Sequence, residues 1–179
     1  LRSRGGFEFE VKEWIKADPG RQRLASAALI DVCQVSHSNR QHGTRLIDRL
    51  LVAAATLLSE VLSTNRGFEV IARTNGQQFL LFFGDTGPRG ATSAAERIRQ
   101  SFADALFENE QQDFAVTVSC AVTELQTNDD AGTLFDRLQE SLLAAKQSGG
   151  NCTTLDEGEG PTPVTPPDYQ LPDRVITVE

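Results

Sequence analysis

Methionine is absent from these 179 residues, and Trp and Tyr occur once each. The missing initiator predicts a piece of a longer protein. Basic residues are also scarce: 17 Lys and Arg stand against 25 Asp and Glu, for a formal net charge of -8. That balance argues against a nucleic-acid surface, which would be basic, so no DNA partner is expected. No apolar run approaches the roughly 20 residues of a membrane span. No signal-like N-terminus is present. Together these predict a cytoplasmic segment with no membrane contact of its own. The three cysteines, Cys33, Cys120 and Cys152, are odd in number and far apart. With no C-x-x-C pair they suggest neither a zinc site nor a disulfide framework, and read as reduced, mostly buried thiols. His37 and His42 lie in a polar stretch without a partner at metal-ligand spacing and read as loop residues. No nucleophile motif surrounds Ser36, Ser119 or Ser141, which excludes the common hydrolase pattern.

What is present suffices for one domain with a tail. Phe7, Val11, Trp14 and Ile15 form a helical stripe, which Asp18-Pro19-Gly20 breaks. Residues 25–33 are an apolar run suited to a central strand. It contains Asp31, whose burial would be costly without a partner or a ligand. A long helix is expected over residues 45–62, with Leu46, Leu50, Ala53, Ala54, Leu57, Leu58 and Val61 on one face. Residues 92–107 read as a helix, 113–125 as an alternating strand, and 130–146 as a helix stopped by Gly149-Gly150. Residues 151–155 suggest an edge strand. From residue 156 the chain turns acidic and Pro-rich and reads as a linker or extended arm. Residues 175–178 read either as a frayed end or as a strand pairing with a sheet edge, here or in another molecule. The expected division is a domain over 1–155 and a tail over 156–179. The order of elements suggests an α+β fold, with an antiparallel-containing central sheet flanked by helices in the ferredoxin-like manner.

Between the two central helices lie two apolar runs, 68–72 and 80–83. They are joined through Arg73, Thr74, Asn75, Gly76, Gln77, Gln78 and Phe79. Asn-Gly tolerates the positive φ of a tight hairpin turn, so this stretch reads as a β-hairpin. Its tip carries amides and no carboxylates.

In order and spacing these segments resemble the GGDEF domain of diguanylate cyclases, whose fold is related to the nucleotidyl cyclase palm. Residues 1–7 look like the end of the family's opening L-T-G-L-x-N-R-x-x-F motif. Leu29-Ile30-Asp31 is similar to the first metal-binding strand, and residues 73–79 to the R-x-G-G-D-E-F hairpin. Residues 116–121 are similar to V-T-x-S-x-G, and 145–151 to A-K-x-x-G-R-N. The resemblance covers residues 1–151. It implies two domains meeting face to face, each holding one GTP, and divalent metal to neutralise phosphate charge. Hard Mg²⁺ is held by carboxylate oxygens, waters and phosphates.

Against that pattern Asp31 is kept, but the second strand acid is Cys33 and the Phe-Lys pair of the phosphate loop is Val35-Ser36. The signature positions are Asn75, Gly76, Gln77, Gln78 and Phe79, with amides where the two acids belong. An amide oxygen carries no negative charge and cannot act as a base. Lys146 survives, while the Arg of G-R-N is Gly150 and the Tyr before the A-K pair is Leu143. The expectation is a degenerate domain with no catalytic residue. It would serve as a regulatory or nucleotide-binding module in bacterial signalling, with GTP or cyclic di-GMP as ligand. The alternatives are a residual diguanylate cyclase and a ligand-free dimerisation scaffold. Mg²⁺ is expected only alongside a nucleotide, and Asp31 alone is a poor basis for it. Asn39, Asp48 and Lys146 are the nucleotide-binding candidates; otherwise Asn39 is a turn residue and Asp48 a solvated helix position. Arg66, Glu69 and Arg73 resemble the family's R-x-x-D inhibitory site, or else form an ordinary surface charge pair. A homodimer and fused sensor or effector domains outside this stretch complete the implied partners.

Overall fold

The computed structural model describes residues 1–20, 22–35, 44–62, 68–74, 76–110 and 113–178. In chain order the elements are β1 (Arg2–Ser3), α1 (Arg4–Ala17), β2 (Ala25–Val35), α2 (Thr44–Leu62), β3 (Phe68–Arg73), β4 (Gln78–Gly84), α3 (Pro88–Asp104), β5 (Ala105–Glu108), β6 (Asp113–Phe114), β7 (Val116–Glu124), α4 (Ala131–Gln147), β8 (Thr153–Asp156), β9 (Pro161–Pro163) and β10 (Arg174–Thr177). Seven strands form one mixed sheet in the order β1-β3-β4-β2-β7-β8-β9, and β10-β5-β6 form a second, small sheet. β2 is central, antiparallel to both β4 and β7.

Alternation along β2 explains the layering. Ala28, Ile30 and Val32 face α2 and α3, in a core that also holds Phe79, Phe83, Phe102 and Phe107. Ala25, Ala27 and Leu29 face the other way, into a core with Phe7, Val11 and Trp14 of α1 and Leu134, Leu138 and Leu142 of α4. A strand covered on both faces must be largely apolar, and this one is, apart from Ser26, Asp31 and Gln34. The helix ends are set locally. The Ser3 side chain accepts from Gly6 N–H at 3.2 Å, Pro88 opens α3, and Asp130 caps α4 in a capping box with Thr133. Gly84 leaves room for the Trp14 ring: a Cβ there would lie 2.5 Å from the indole. That ring meets Phe82 edge-on, with centroids 5.8 Å apart.

Three expectations are corrected. The helix expected over 92–107 starts earlier, at Pro88, and ends at Asp104. Phe107 belongs instead to β5, stacked between Phe102 and Phe114. The strand expected over 113–125 is two strands in different sheets, because β6 pairs with β5 while β7 pairs with β2. The frayed end at 175–178 is a strand, paired in parallel with β5 and anchored by the buried Val178.

Candidate functional site

Asp31 lies near the end of β2, on the face covered by α1 and α4, and is 1 % exposed. Antiparallel register sets Gln78 of β4 directly beside it, with Ser119 of β7 on its other flank. Gln77 stands at the tip of the β3–β4 hairpin. There Gly76 takes φ of 79°, as the turn requires, and Val32 N–H donates to the Gln77 carbonyl at 3.1 Å. The Arg73 guanidinium donates to the Gly76 carbonyl from Nε at 3.3 Å and from Nη2 at 3.2 Å, bracing the tip. The last turn of α4 brings Lys146 over the same spot.

These elements converge on the Asp31 carboxylate. Lys146 Nζ donates to Oδ2 at 2.7 Å, Gln78 Nε2 donates to Oδ2 at 2.9 Å, and Gln77 Nε2 donates to Oδ1 at 3.3 Å. Gln139 of α4 extends the network, its Nε2 donating to Gln78 Oε1 at 3.3 Å. A buried carboxylate needs both a counter-charge and hydrogen bonds, and here it has both. The cost expected from burying an acid in an apolar strand is met by Lys146 and the two glutamines. The Lys146 side chain stays 40 % exposed, so the site opens to solvent on the ammonium side.

This arrangement does not fit a resident Mg²⁺. The metal would need several oxygens at close range, whereas Asp31 is surrounded by nitrogen donors and an ammonium. Among the described residues no group of three or more His, Cys, Asp or Glu could hold a metal ion. The Gly149-Gly150-Asn151 turn after α4, at positive φ throughout, is fixed from beneath by a buried network. Glu96 pairs with Arg99, Arg99 donates to Asn151 Oδ1, and Thr153 donates to Glu96. The bonded Glu96 carboxylate holds Arg99 above its ordinary range. Burial pushes the nearby Cys152 thiol up. Cys120 is buried and Cys152 half-buried, and neither forms a disulfide; their thiols donate to the Ala95 and Ala145 carbonyls.

The other candidates are distributed more widely. Asp48 is exposed on α2, in the wall of a groove completed by β10. Glu69 lies in β3, beside Phe83 of β4. Asn39, Arg66, Asn75, His37 and His42 lie outside the described residues. The Glu69 and Cys33 side chains do too. Gln139 was missed by sequence reasoning. Its only sequence signal is its place one helical turn before Leu143 and two before Lys146 on α4.

Comparison with known proteins accounts for this architecture. The family model described as "Diguanylate cyclase, GGDEF domain" matches residues 1–152. Diguanylate cyclase A of Treponema denticola is 25 % identical over 148 residues, covering 82 % of this chain and 39 % of that protein. Diguanylate cyclase DgcM of Escherichia coli is 32 % identical over 140 residues, covering 75 % of this chain and 33 % of that protein. The chain thus spans only about a third of these curated relatives' length, between 33 % and 39 %. Among solved structures, the GGDEF domain of DgcB from Caulobacter crescentus, crystallised with c-di-GMP, superposes with a TM-score of 0.77 at 20 % identity, covering 87 % of this chain and 91 % of that one. The active GGEEF domain of a Vibrio cholerae diguanylate cyclase gives 0.73 at 21 % identity, covering 100 % and 98 %. The mixed sheet with helices on both faces is therefore the α+β cyclase palm, and the chain belongs to the GGDEF domain family.

Proposed function

We propose that this chain is a GGDEF domain that has given up cyclic di-GMP synthesis and works as a regulatory, nucleotide-responsive module. The observation that carries the reading is the occupied Asp31 carboxylate. Lys146, Gln78 and Gln77 donate to it where a working site would present oxygens to a metal. Phosphoryl transfer depends on positioned positive charge to stabilise its transition state. Here Lys146, drawn onto Asp31, is neutralised by it, and the glutamine amides can neither bind metal as anions nor take a proton.

GTP and cyclic di-GMP are the ligands in view. Asn39 and Asp48 would read a guanine edge, and Lys146 would turn from Asp31 to a phosphate. Arg66, Glu69 and Arg73 would form the second, product-type site. Residues 1–155 would be the module and 156–179 its arm. In the longer protein, fused sensor or effector domains would supply or read the signal in the cytoplasm, with a homodimer as the working unit.

The test incubates the protein with GTP and Mg²⁺ or Mn²⁺, and separately titrates GTP, ATP and cyclic di-GMP by calorimetry. Saturable guanine-nucleotide heat without cyclic di-GMP formation is expected. Product formation would return the domain to the enzymes, and silence in both assays would leave only a scaffold.

A further inference from the structure

The last described strand has a seat of its own, separate from the Asp31 site. Among the described residues β10 pairs only with β5, in parallel, from Arg174 beside Ala105 to Thr177 beside Glu108. Its hold on the domain is narrow. Val178 is buried and Ile176 partly so in the core beneath, while Val175 points out at 62 % exposure. Val178 N–H donates to the Glu108 carbonyl at 2.8 Å, and Arg174 Nη1 reaches Glu60 of α2 at 2.8 Å. Toward α2 the strand is not packed tight. A groove of about 800 Å³ separates it from Val52, Ala53 and Leu57.

The route to this seat is as telling as the seat. After β9 ends at Pro163, residues 164–173 contain neither helix nor strand. Pro166, Pro167 and Pro172 stiffen this stretch. It crosses α3, where the Tyr169 hydroxyl meets Ser93 Oγ at 2.9 Å and the Tyr169 carbonyl accepts from Gln100 at 3.4 Å. An extended connection of that length spans roughly 30 Å or more. That is enough for β10 to reach a neighbouring molecule instead of its own.

We propose that the β5 edge beside α2 is a strand-binding site whose second occupant is β10 of another copy, so that two chains exchange arms. The same ladder, the same Ile176 and Val178 burial and the same Arg174–Glu60 pair are satisfied in cis or in trans. Only the path of residues 164–173 differs, which is the condition for exchange at low cost. The α2 wall of the groove carries Asp48, Arg49 and Glu60, and the arm brings Asp173 and Arg174, so seat and arm each carry both signs of charge and meet in the Arg174–Glu60 pair.

The test uses the full chain. Leu106 and Val175 are register partners, and both are exposed, at 43 % and 62 %, so a cysteine at either position leaves the core intact. Leu106→Cys and Val175→Cys are made in separate chains, mixed, and oxidised. Arm exchange predicts a disulfide-linked heterodimer in the mixture, well above the dimer formed by either variant alone. It also predicts that the heterodimer disappears when the Val175→Cys chain carries Ile176→Asp and Val178→Asp. A mixture giving no more dimer than the separate chains would overturn the proposal. So would a heterodimer that survives the two aspartates.

Discussion

Gln78→Glu tests the chemistry of the site most directly. The substitution keeps the shape and puts a carboxylate oxygen where Nε2 now stands, 2.9 Å from Asp31 Oδ2. Two unit charges about 3 Å apart repel by roughly 5 kcal/mol at an effective dielectric of about 20. Lys146, 2.7 Å from the same oxygen and 40 % exposed, would bridge the two acids and cancel part of this. A net loss of about 2–3 kcal/mol remains, which for a chain of this size lowers Tm by roughly 5–10 °C. The loss shrinks as the pH falls, because protonating either acid restores a donor between them. Magnesium should act in the same direction. The paired carboxylates offer hard oxygens, and free Mg²⁺ at about 100 times its Kd adds back about 2.7 kcal/mol. Melts with and without Mg²⁺ at neutral and acidic pH check this. The expected result is a variant that Mg²⁺ stabilises and a wild type that it leaves alone. Equal stabilisation of both proteins, or an undisturbed Tm for Gln78→Glu at neutral pH, would refute the account of Asp31 as a carboxylate already saturated by nitrogen donors.

Two further outcomes follow from packing and titration. Gly84→Ala drives a Cβ to within 2.5 Å of the Trp14 ring, and overpacking of this kind costs about 1–3 kcal/mol. Trp14 is the only tryptophan, so its emission should shift along with the lowered melt, and an unchanged spectrum and Tm would count against the contact. Burial pushes the Asp156 carboxyl up, but the Gly158 N–H, the Arg137 guanidinium and the Gly160 N–H outweigh it and hold the group below its ordinary range. A carboxylate depressed on folding stabilises above its unfolded pKa, and that contribution is lost as pH falls through the folded value. Asp156→Asn should therefore lower stability near neutrality and flatten the acid limb of the stability–pH curve; an unaltered limb would contradict this.

The sheet and its four helices were legible because their apolar periods were strong. The errors came where two signals overlapped. Phe102 and Phe107 can both be placed on one helical stripe, yet only Phe102 is helical. Phe107 instead turns into β5 to stack against Phe114, a choice set by tertiary contacts. Phe114 and Val116 fit one alternating run, and nothing local shows that the residues on either side of Ala115 join different sheets. Proline content made the arm look like a linker, since composition does not report that Ile176 and Val178 find a seat. At the site, the replacement of acids by Gln77 and Gln78 was visible in the sequence. That both amides and Lys146 would turn onto Asp31, with Gln139 behind them, depends on β2, the hairpin and α4 meeting in space.

The central position of β2 also shapes how the chain is made. Its two neighbours, β4 and β7, both come later in sequence, ending at Gly84 and Glu124. A chain emerging from the ribosome at about 5–20 residues per second therefore carries its central, mostly apolar strand unpaired for several seconds. The first pairing becomes available with β4, and the second face of the ladder closes only with β7. Nascent-chain chaperones would meet this domain through residues 27–32, and a slow codon between β4 and β7 would lengthen that exposure more than one placed after β8.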